Sequence, residues 1–355
     1  MMKNSAKTEQ VIKQSLKYQG GFSLLEIFIA LSIGLVIFAG VLSVFVGIKT
    51  TTTETSSYGE LQENGRFAIS LLSDDLLRQD FWGDYTGTVD LASINPVPGA
   101  PTGECIGGGI NNGTFPLAVG KFRTLWGQTA TSATILSGCR TDAKIGSDIL
   151  QLKRVISSKL IQRDASGNPI LDVNGNQMPI TVAPAGNFYL VSNMNNGTIF
   201  ASGAVPVIPN GQVWEYQHHI YYVREETQGS NKVPVLMQGR LSNTLSFAPI
   251  IDGIEMIYFE YGIDTDTDPT NPGYGIINAY VPAINMNDAL WNNANSRILS
   301  VKIYVLARNI LPDNKYTNTN TYQIGAQTYT FNDNYRRLLF SSTVTLYNAG
   351  VDTWN

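Results

Sequence analysis

The sequence predicts an α+β protein in which one long N-terminal helix packs on an antiparallel β-sheet. Three observations support this fold class. Residues 22–48 are an apolar run, residues 49–82 continue it as an amphipathic segment without proline, and short runs of β-branched and aromatic residues fill the second half of the chain. Asn-Gly pairs separate some of these runs, and strands joined by such tight turns form antiparallel sheets.

The apolar run of residues 22–48 is long enough to cross a membrane, because about 20 apolar residues in a helix span a hydrocarbon core. Glu26 is the only ionisable side chain in this run. A carboxylate costs roughly 2.5–3.5 kcal/mol at the centre of such a segment, so its presence indicates a function and a partner. No lysine or arginine of the run can neutralise it.

A cut between Gly21 and Phe22 would supply the missing partner. The new α-amine would lie one helical turn from Glu26, and on a neighbouring copy it could meet that carboxylate inside the bilayer. The charge would then fix the register in which the helices associate.

The stretch Gly21-Phe22-Ser23-Leu24-Leu25-Glu26 follows a lysine-bearing leader and opens an apolar helix. It resembles the class III signal of type IV prepilins. The resemblance implies a leader peptide of residues 1–21, cleavage after Gly21 by a prepilin peptidase, N-methylation of Phe22 and an assembly contact made by Glu26. The alternative interpretation is an ordinary signal anchor that carries a glutamate by chance.

The charges around the apolar run predict its orientation. Four lysines precede the run, and nothing comparable follows it closely. By the positive-inside rule the N-terminus stays cytoplasmic and everything after Lys49 is exported, which predicts a single-pass membrane protein. The prepilin resemblance implies that this is the inner membrane and that the processed protein then assembles into an extracellular pilus. A secretory signal peptide is the alternative, but its cleavage site would follow the run, which instead continues into Lys49 and four threonines.

The exported part of the chain is acidic. The whole chain carries a formal charge of −4, and the leader contributes +3 from four lysines and one glutamate, so the chain without its leader carries −7. Proteins hold nucleic acids through clustered lysine and arginine. We therefore expect no direct binding of nucleic acid.

The two cysteines, Cys105 and Cys139, both fall in the exported part. An even number of cysteines in an oxidising compartment indicates a disulfide, which would stabilise the fold by roughly 4 kcal/mol in the chain-entropy model. Two free thiols or a metal pair are the alternatives, although no histidine or further cysteine lies nearby with zinc spacing.

Residues 49–82 are predicted to be the exported half of the helix, because apolar residues recur there at steps of three and four. These apolar residues are Leu61, Ala68, Ile69, Leu72 and Leu76.

Residues 83–355 are predicted to be a β-rich periplasmic or extracellular head. Its first part, to about Gly146, is rich in Gly, Pro and Thr and gives few regular signals. The triplet Gly107-Gly108-Gly109 lacks the Gly-Lys-Ser/Thr of a phosphate loop, so we interpret it as a flexible turn.

Six runs in the head have the length and composition of strands. In the clearest of them, apolar residues alternate from Leu299 to Ala307, which predicts one buried face. Three Asn-Gly pairs are hairpin candidates: Asn174-Gly175, Asn196-Gly197 and Asn210-Gly211. The six runs cover residues 150–153, 188–191, 213–223, 254–261, 298–307 and 338–346.

Short motifs in the second half of the helix and in the last two predicted strands resemble the PilW family of minor pilins. They are residues 62–68, 74–78, 305–308 and 336–348. The resemblance implies a pilin-like fold and a minor pilin that primes pilus assembly at or near the pilus tip, supporting twitching motility, adhesion or DNA uptake. It also implies other minor pilins, the major pilin and a large tip adhesin as partners.

Two other functions fit the same sequence. A pseudopilin of type II secretion carries the same signal, although such proteins tend to have smaller heads. A membrane-tethered adhesin or DNA-binding module that never polymerises would need no cut after Gly21.

Asp264, Asp266 and Asp268 alternate along the chain and could bind a hard cation such as Ca²⁺ through oxygen ligands. The EF-hand pattern is not met, because Pro269 replaces its sixth residue and Gly275 its twelfth. A calcium site completed by backbone carbonyls and a solvated turn are the two interpretations, and the turn is preferred. No other cofactor is expected.

The adjacent pair His218 and His219 would point to opposite faces of a strand, so the two rings could not bind one metal together. The sequence contains no His-Glu-x-x-His, no Gly-x-Ser-x-Gly and no cysteine with a suitable base. We therefore expect no catalytic residues and no enzyme activity.

Overall fold

A computed structural model describes residues 21–229, 231–266, 268–292 and 296–348. The chain divides into two compact units, with the boundary between Ser56 and Ser57. One helix, α1 (Leu24–Leu77), provides the helical part of the first unit and opens the second. Residues 1–20 of the predicted leader lie outside the described residues.

In the first unit, α1 is long and apolar enough to cross a membrane, and none of its apolar stretch is buried. In the threonine-rich turn that follows, which is helical, the hydroxyls bond to the helix itself. The hydroxyls of Thr51, Thr52 and Thr55 donate to carbonyls four residues earlier, at 3.1, 2.9 and 2.9 Å. Threonine hydroxyls inside a helix commonly form such bonds.

In the second unit, α1 buries the predicted apolar stripe. Leu61, Ala68, Leu72 and Leu76 are almost inaccessible to solvent. The helix ends at Leu77, five residues before the predicted end at residue 82. The N–H groups of the next two residues bond to carbonyls three residues back, and Asp80 then adopts a φ of 57°. A tightened last turn followed by left-handed backbone ends a helix.

The larger sheet of the second unit has seven antiparallel strands in a branched order. These strands are β1 (Leu125–Thr129), β2 (Asp148–Lys159), β3 (Val182–Ser192), β4 (Gly197–Ala204), β5 (Gln212–Gln228), β6 (Asn231–Leu241) and β7 (Leu245–Asp252). The path β1-β2-β5-β3-β4 is extended by β6, which pairs with β5, and by β7, which pairs with β6.

Strand β5 is the centre of this sheet because its 17 residues serve three neighbours. One edge pairs with β2 over residues 214–221. The other edge pairs first with β3 over residues 212–216 and then with β6 over residues 219–228. Both histidines of the predicted pair lie on this strand.

A second sheet has four antiparallel strands in the order β13-β10-β8-β9, and a separate two-stranded hairpin is formed by β11 and β12. A short helix, α2 (Asp288–Asn292), precedes β10. The strands are β8 (Ile254–Asp264), β9 (Ala279–Pro282), β10 (Arg297–Arg308), β11 (Thr321–Ile324), β12 (Gln327–Thr330) and β13 (Arg337–Thr345).

The structure confirms the α+β class and all six predicted strands, which lie in β2, β3, β5, β8, β10 and β13. The alternating residues Val301, Ile303 and Val305 of β10 face the main core, as predicted. Leu306 on the opposite face is also buried, because Tyr322 and the rest of the β11–β12 hairpin cover it. The sequence did not predict this second layer.

Two of the three predicted Asn-Gly hairpins are present. Asn174-Gly175 closes a tight turn between bridged residues, and Asn196 closes the turn between β3 and β4. Asn210-Gly211 is not a hairpin, because it joins β4 to β5 and these strands are not neighbours in the sheet. Its turn is held by a bond from the Gly211 N–H to the Ile208 carbonyl.

Candidate assembly sites on the helix and the head

The first candidate site is the start of α1. The Ser23 N–H donates to Glu26 Oε2 at 3.0 Å, and the Glu26 N–H donates to Ser23 Oγ at 3.1 Å. This reciprocal pair is a capping box, which satisfies donors that the first turn of a helix leaves free. The Ser-x-x-Glu spacing signals this motif, which was not among the predictions from the sequence.

Glu26 therefore has a local partner, although no basic side chain lies in the apolar run. Its neighbours Phe22, Ile27 and Leu31 are exposed apolar residues that form one surface with it. The arrangement can present one carboxylate on an otherwise apolar helix. Cleavage after Gly21 and methylation of Phe22 stay predictions.

The second candidate site is a buried polar cluster where α1 meets the larger sheet. Asp75, near the helix end, accepts hydrogen bonds from Arg154 of β2 at 2.8 and 3.1 Å. Its other oxygen lies 2.6 Å from His219 Nδ1 and accepts the Tyr221 hydroxyl at 3.0 Å. One carboxylate thus joins the helix to two strands.

The electrostatics of this cluster favour the charged form of Asp75. Burial raises the pKa of the carboxyl, but the hydrogen bond and charge of His219 and the charge of Arg154 outweigh it, so the pKa lies well below its usual range. From the sequence, Asp75 was only one residue of the motif at 74–78. A charged residue next to Leu76 on the buried side of an amphipathic helix was the available signal.

A third buried cluster joins the strands of the second sheet. Glu255 of β8 contacts Arg337 of β13, Arg308 of β10 at 3.5 Å and Lys144 at 3.4 Å. Arg337 also pairs with Asp333 at 2.7 Å. Burial raises the pKa of Glu255, but the Arg337 hydrogen bonds and the three positive charges outweigh this effect and lower it. The cluster fixes β13 to its neighbours.

A disulfide joins Cys105 and Cys139, with the Cα atoms 5.3 Å apart, so the expected pairing is present. It anchors a loop that covers the larger sheet. Beneath this loop Lys153 is fully buried, and its Nζ donates to Asn112 Oδ1 at 2.6 Å and to the Arg123 carbonyl at 2.9 Å. Burial lowers the pKa of Lys153 to about 7.

The triplet Gly107-Gly108-Gly109 belongs to this loop and includes a bend, as expected of a turn, while its flexibility stays a prediction. Gly107 is buried and Gly108 and Gly109 are exposed, but each has a side chain close to the position that a Cβ would take. An added Cβ would lie 2.1 Å from Asn112 Nδ2 at the first glycine, 3.2 Å from the Trp126 ring at the second and 2.3 Å from the Arg123 guanidinium at the third. The glycines are required because the backbone passes close to buried side chains.

His218 and His219 point to opposite faces of β5, as predicted. His219 contacts Asp75, whereas His218 Nδ1 lies 3.1 Å from Thr114 Oγ1. Burial, followed by the charge of Lys153, keeps the pKa of His218 well below its ordinary value. The two rings therefore belong to separate buried clusters.

The three aspartates of the calcium hypothesis make protein contacts. Asp264 is buried and pairs with Arg297 at 2.8 Å, and it also accepts the Gly275 N–H. Asp268 accepts bonds from Thr270. Among the described residues, which omit Thr267, no group of three metal-ligating side chains occurs. A calcium site at these aspartates stays a prediction.

A family model described as Type IV Pilus-assembly protein W (PilW) matches residues 220–348. This match supports a PilW-family identification for residues 220–348. No curated protein and no solved structure matches the chain.

The PilW match runs from the middle of β5 through the second sheet to the end of β13. It includes Arg308, Glu255 and Arg337 of the third cluster, and also the 305–308 and 336–348 motifs. The match thus relates the second half of the head to type IV pilus-assembly proteins. The helix start and its predicted processing signal lie outside the matched residues.

Proposed function

We propose that this PilW-family chain is a minor pilin that primes type IV pilus assembly and sits at or near the pilus tip. Its single transmembrane helix lies in the inner membrane with the N-terminus cytoplasmic before processing. A prepilin peptidase removes residues 1–21, and Phe22 is methylated. The mature subunit then assembles with other minor pilins, the major pilin and a large tip adhesin, in support of twitching motility, adhesion or DNA uptake.

The observation that carries this proposal is the position of Glu26. It is the only charged side chain on the apolar stretch of α1, and it lies one turn from the backbone that cleavage would expose. A lone carboxylate in hydrocarbon gains most from an opposite charge on another molecule. The free amine of a neighbouring subunit is that charge.

The capping box permits a sharp test, because capping and charge can be separated. Glu26→Gln keeps an acceptor for the Ser23 N–H but removes the charge, since glutamine also forms capping boxes. In cells that lack the native gene, we expect full-length Glu26→Gln and Glu26→Ala both to fail to restore pili. The exposed Glu63→Ala on the same helix is the matched control and should restore them.

Normal piliation with Glu26→Gln would contradict the proposal and assign Glu26 to helix capping alone. Mass spectrometry of the mature chain supplies the second measurement, and we expect it to begin at methylated Phe22. An uncut chain working alone in the membrane would favour the tethered adhesin. A processed chain found only in a type II secretion filament would favour the pseudopilin.

A further inference from the structure

Edge strands expose unpaired backbone groups, and natural proteins usually protect them. Four edges in the described sheets carry protection. Strand β1 has five residues with a glycine in the middle, and β4 contains two glycines and faces a bulge in β3. Strand β7 contains a proline, and β9 has four residues and ends in a proline. Their protecting residues are Gly127, Gly197, Gly203, Pro249 and Pro282.

Strand β13 is an edge without these devices. It pairs with β10 over nine consecutive residues, from Arg337 opposite Arg308 to Thr345 opposite Ser300, with no register shift. Residues 338–346 contain no charge, glycine or proline. A long, regular and uncharged edge is a template for another strand.

The hydrogen bonds at its two ends show which backbone groups of β13 face outward. The Asn309 N–H bonds to the Arg336 carbonyl, and the Leu346 N–H bonds to the Leu299 carbonyl. Since such bonds alternate along an antiparallel pair, residues 338, 340, 342 and 344 face β10. The backbone groups of Leu339, Ser341, Thr343 and Thr345 therefore point away from the sheet. No hydrogen bond between described residues reaches them.

The side chains of β13 define the chemistry of a matching strand. On one face the Phe340 ring packs against Gly65 of α1, where a Cβ would lie 2.1 Å from it. On the other face Ser341, Thr343 and Thr345 are exposed. Hydroxyl and β-branched residues pair well across strands. The nearby guanidinium of Arg337 already pairs with Glu255 and Asp333.

We propose that β13 pairs edge to edge with an extended, uncharged strand of a different pilus subunit. The partner class rests on the proposed function. Pairing with a second copy of the same edge would be two-fold and closed, whereas a filament grows through contacts that do not close. The head would then add a backbone contact to the contact made by Glu26.

Two matched variants, Ser341→Pro and Ser341→Ala, test the backbone N–H of Ser341. Ser341→Pro removes a donor that faces outward and leaves the bonds to β10 in place, since proline is tolerated on an edge strand where its nitrogen faces solvent. Ser341→Ala keeps that donor. Equal thermal midpoints of the two full-length variants would show that the proline variant is folded.

The measurement is photo-crosslinking in cells, with a photoreactive residue placed at Thr343 of the full chain and the products identified by mass spectrometry. Ser202, exposed on the β4 edge, is the control position. We expect a product between Thr343 and another pilus subunit that is absent at Ser202. Ser341→Pro should reduce its yield about tenfold, whereas Ser341→Ala should not change it.

Three outcomes would overturn the inference: a product with a second copy, a product with residues 349–355 of the same chain, or a yield that Ser341→Pro leaves unchanged. The crosslink in the otherwise unaltered chain tests the edge even if the proline variant is unstable. Loss of pili with Glu26→Gln but no crosslink at Thr343 would contradict the β13 contact alone. Normal pili with Glu26→Gln would contradict the proposed function.

Discussion

Asp75 Oδ2 lies 2.6 Å from His219 Nδ1, and both side chains are almost fully buried. The same carboxylate accepts hydrogen bonds from Arg154 and Tyr221. A single acid near the end of α1 therefore satisfies polar groups of two strands. Buried charges are tolerated only when they are paired in this way.

Removal of this acid should destabilise the head strongly. Asp75→Ala leaves Arg154 buried without its partner, and breaking a buried pair costs about 3–5 kcal/mol. Denaturant unfolding of the full-length protein in detergent measures the loss. Asp74→Ala is the control, because its bridge to Arg78 is more than half exposed and should contribute less than about 1 kcal/mol. Similar losses for both variants would contradict the prediction.

A fully buried carboxyl gives the head a pH dependence. Burial raises the pKa of Asp148 to about 7, although Thr129 and the Phe259 N–H bond to it and oppose the rise. Since the unfolded value is about 4, the folded state holds a proton between pH 4 and 7 that the unfolded chain has lost. The stabilisation that protonated Asp148 gives the folded state is fully present below pH 4. The free energy of unfolding should fall by up to about 4 kcal/mol as pH rises through 7.

Asp148→Asn removes this titration and should flatten that part of the pH profile. The free energy of unfolding from pH 4 to 8, compared between the two proteins, tests it. Parallel profiles would show that another group is responsible.

Two glycines of α1 should respond in opposite ways to alanine. At Gly65 an added Cβ would lie 2.1 Å from the Phe340 ring, so Gly65→Ala should cost about 1–3 kcal/mol through overpacking. At Gly59 nothing lies within 4 Å, so Gly59→Ala should stabilise by up to about 1 kcal/mol through helix propensity. Thermal unfolding distinguishes the two, and effects of the same sign would place Phe340 away from the helix.

The disulfide should stabilise the head measurably. Loss of the Cys105–Cys139 bond should reduce the free energy of unfolding by about 4 kcal/mol, because the unfolded chain regains the entropy of a loop of 34 residues. The double variant Cys105→Ala/Cys139→Ala should match the reduced native protein in denaturant unfolding. Reductant should have no further effect on the variant.

The apolar periodicity of Leu61, Leu72 and Leu76 predicted which side of α1 is buried, because period and burial are directly linked in a helix. The same reasoning could not place Asp75. Its burial depends on Arg154 and His219, which are 79 and 144 residues away in sequence. Local pattern contains no information about such distant partners.

Among the strands, too, some could be predicted from local sequence and others could not. Alternation from Leu299 to Ala307 predicted β10, but β4 contains Gly203 and alanines and has no strong local signal. The sequence could not show that the glycine triplet also lies close to buried side chains, because that depends on the positions of Asn112 and Trp126 in the fold.

The capping box between Ser23 and Glu26 has a consequence for assembly if the proposed function holds. The Glu26 carboxylate already accepts a hydrogen bond from the first turn of its own helix. The amine of an incoming subunit would have to compete with that bond, and the departing carboxylate would leave the Ser23 N–H without its acceptor. Recruitment would then be an exchange of partners, driven by the difference in free energy between the two contacts.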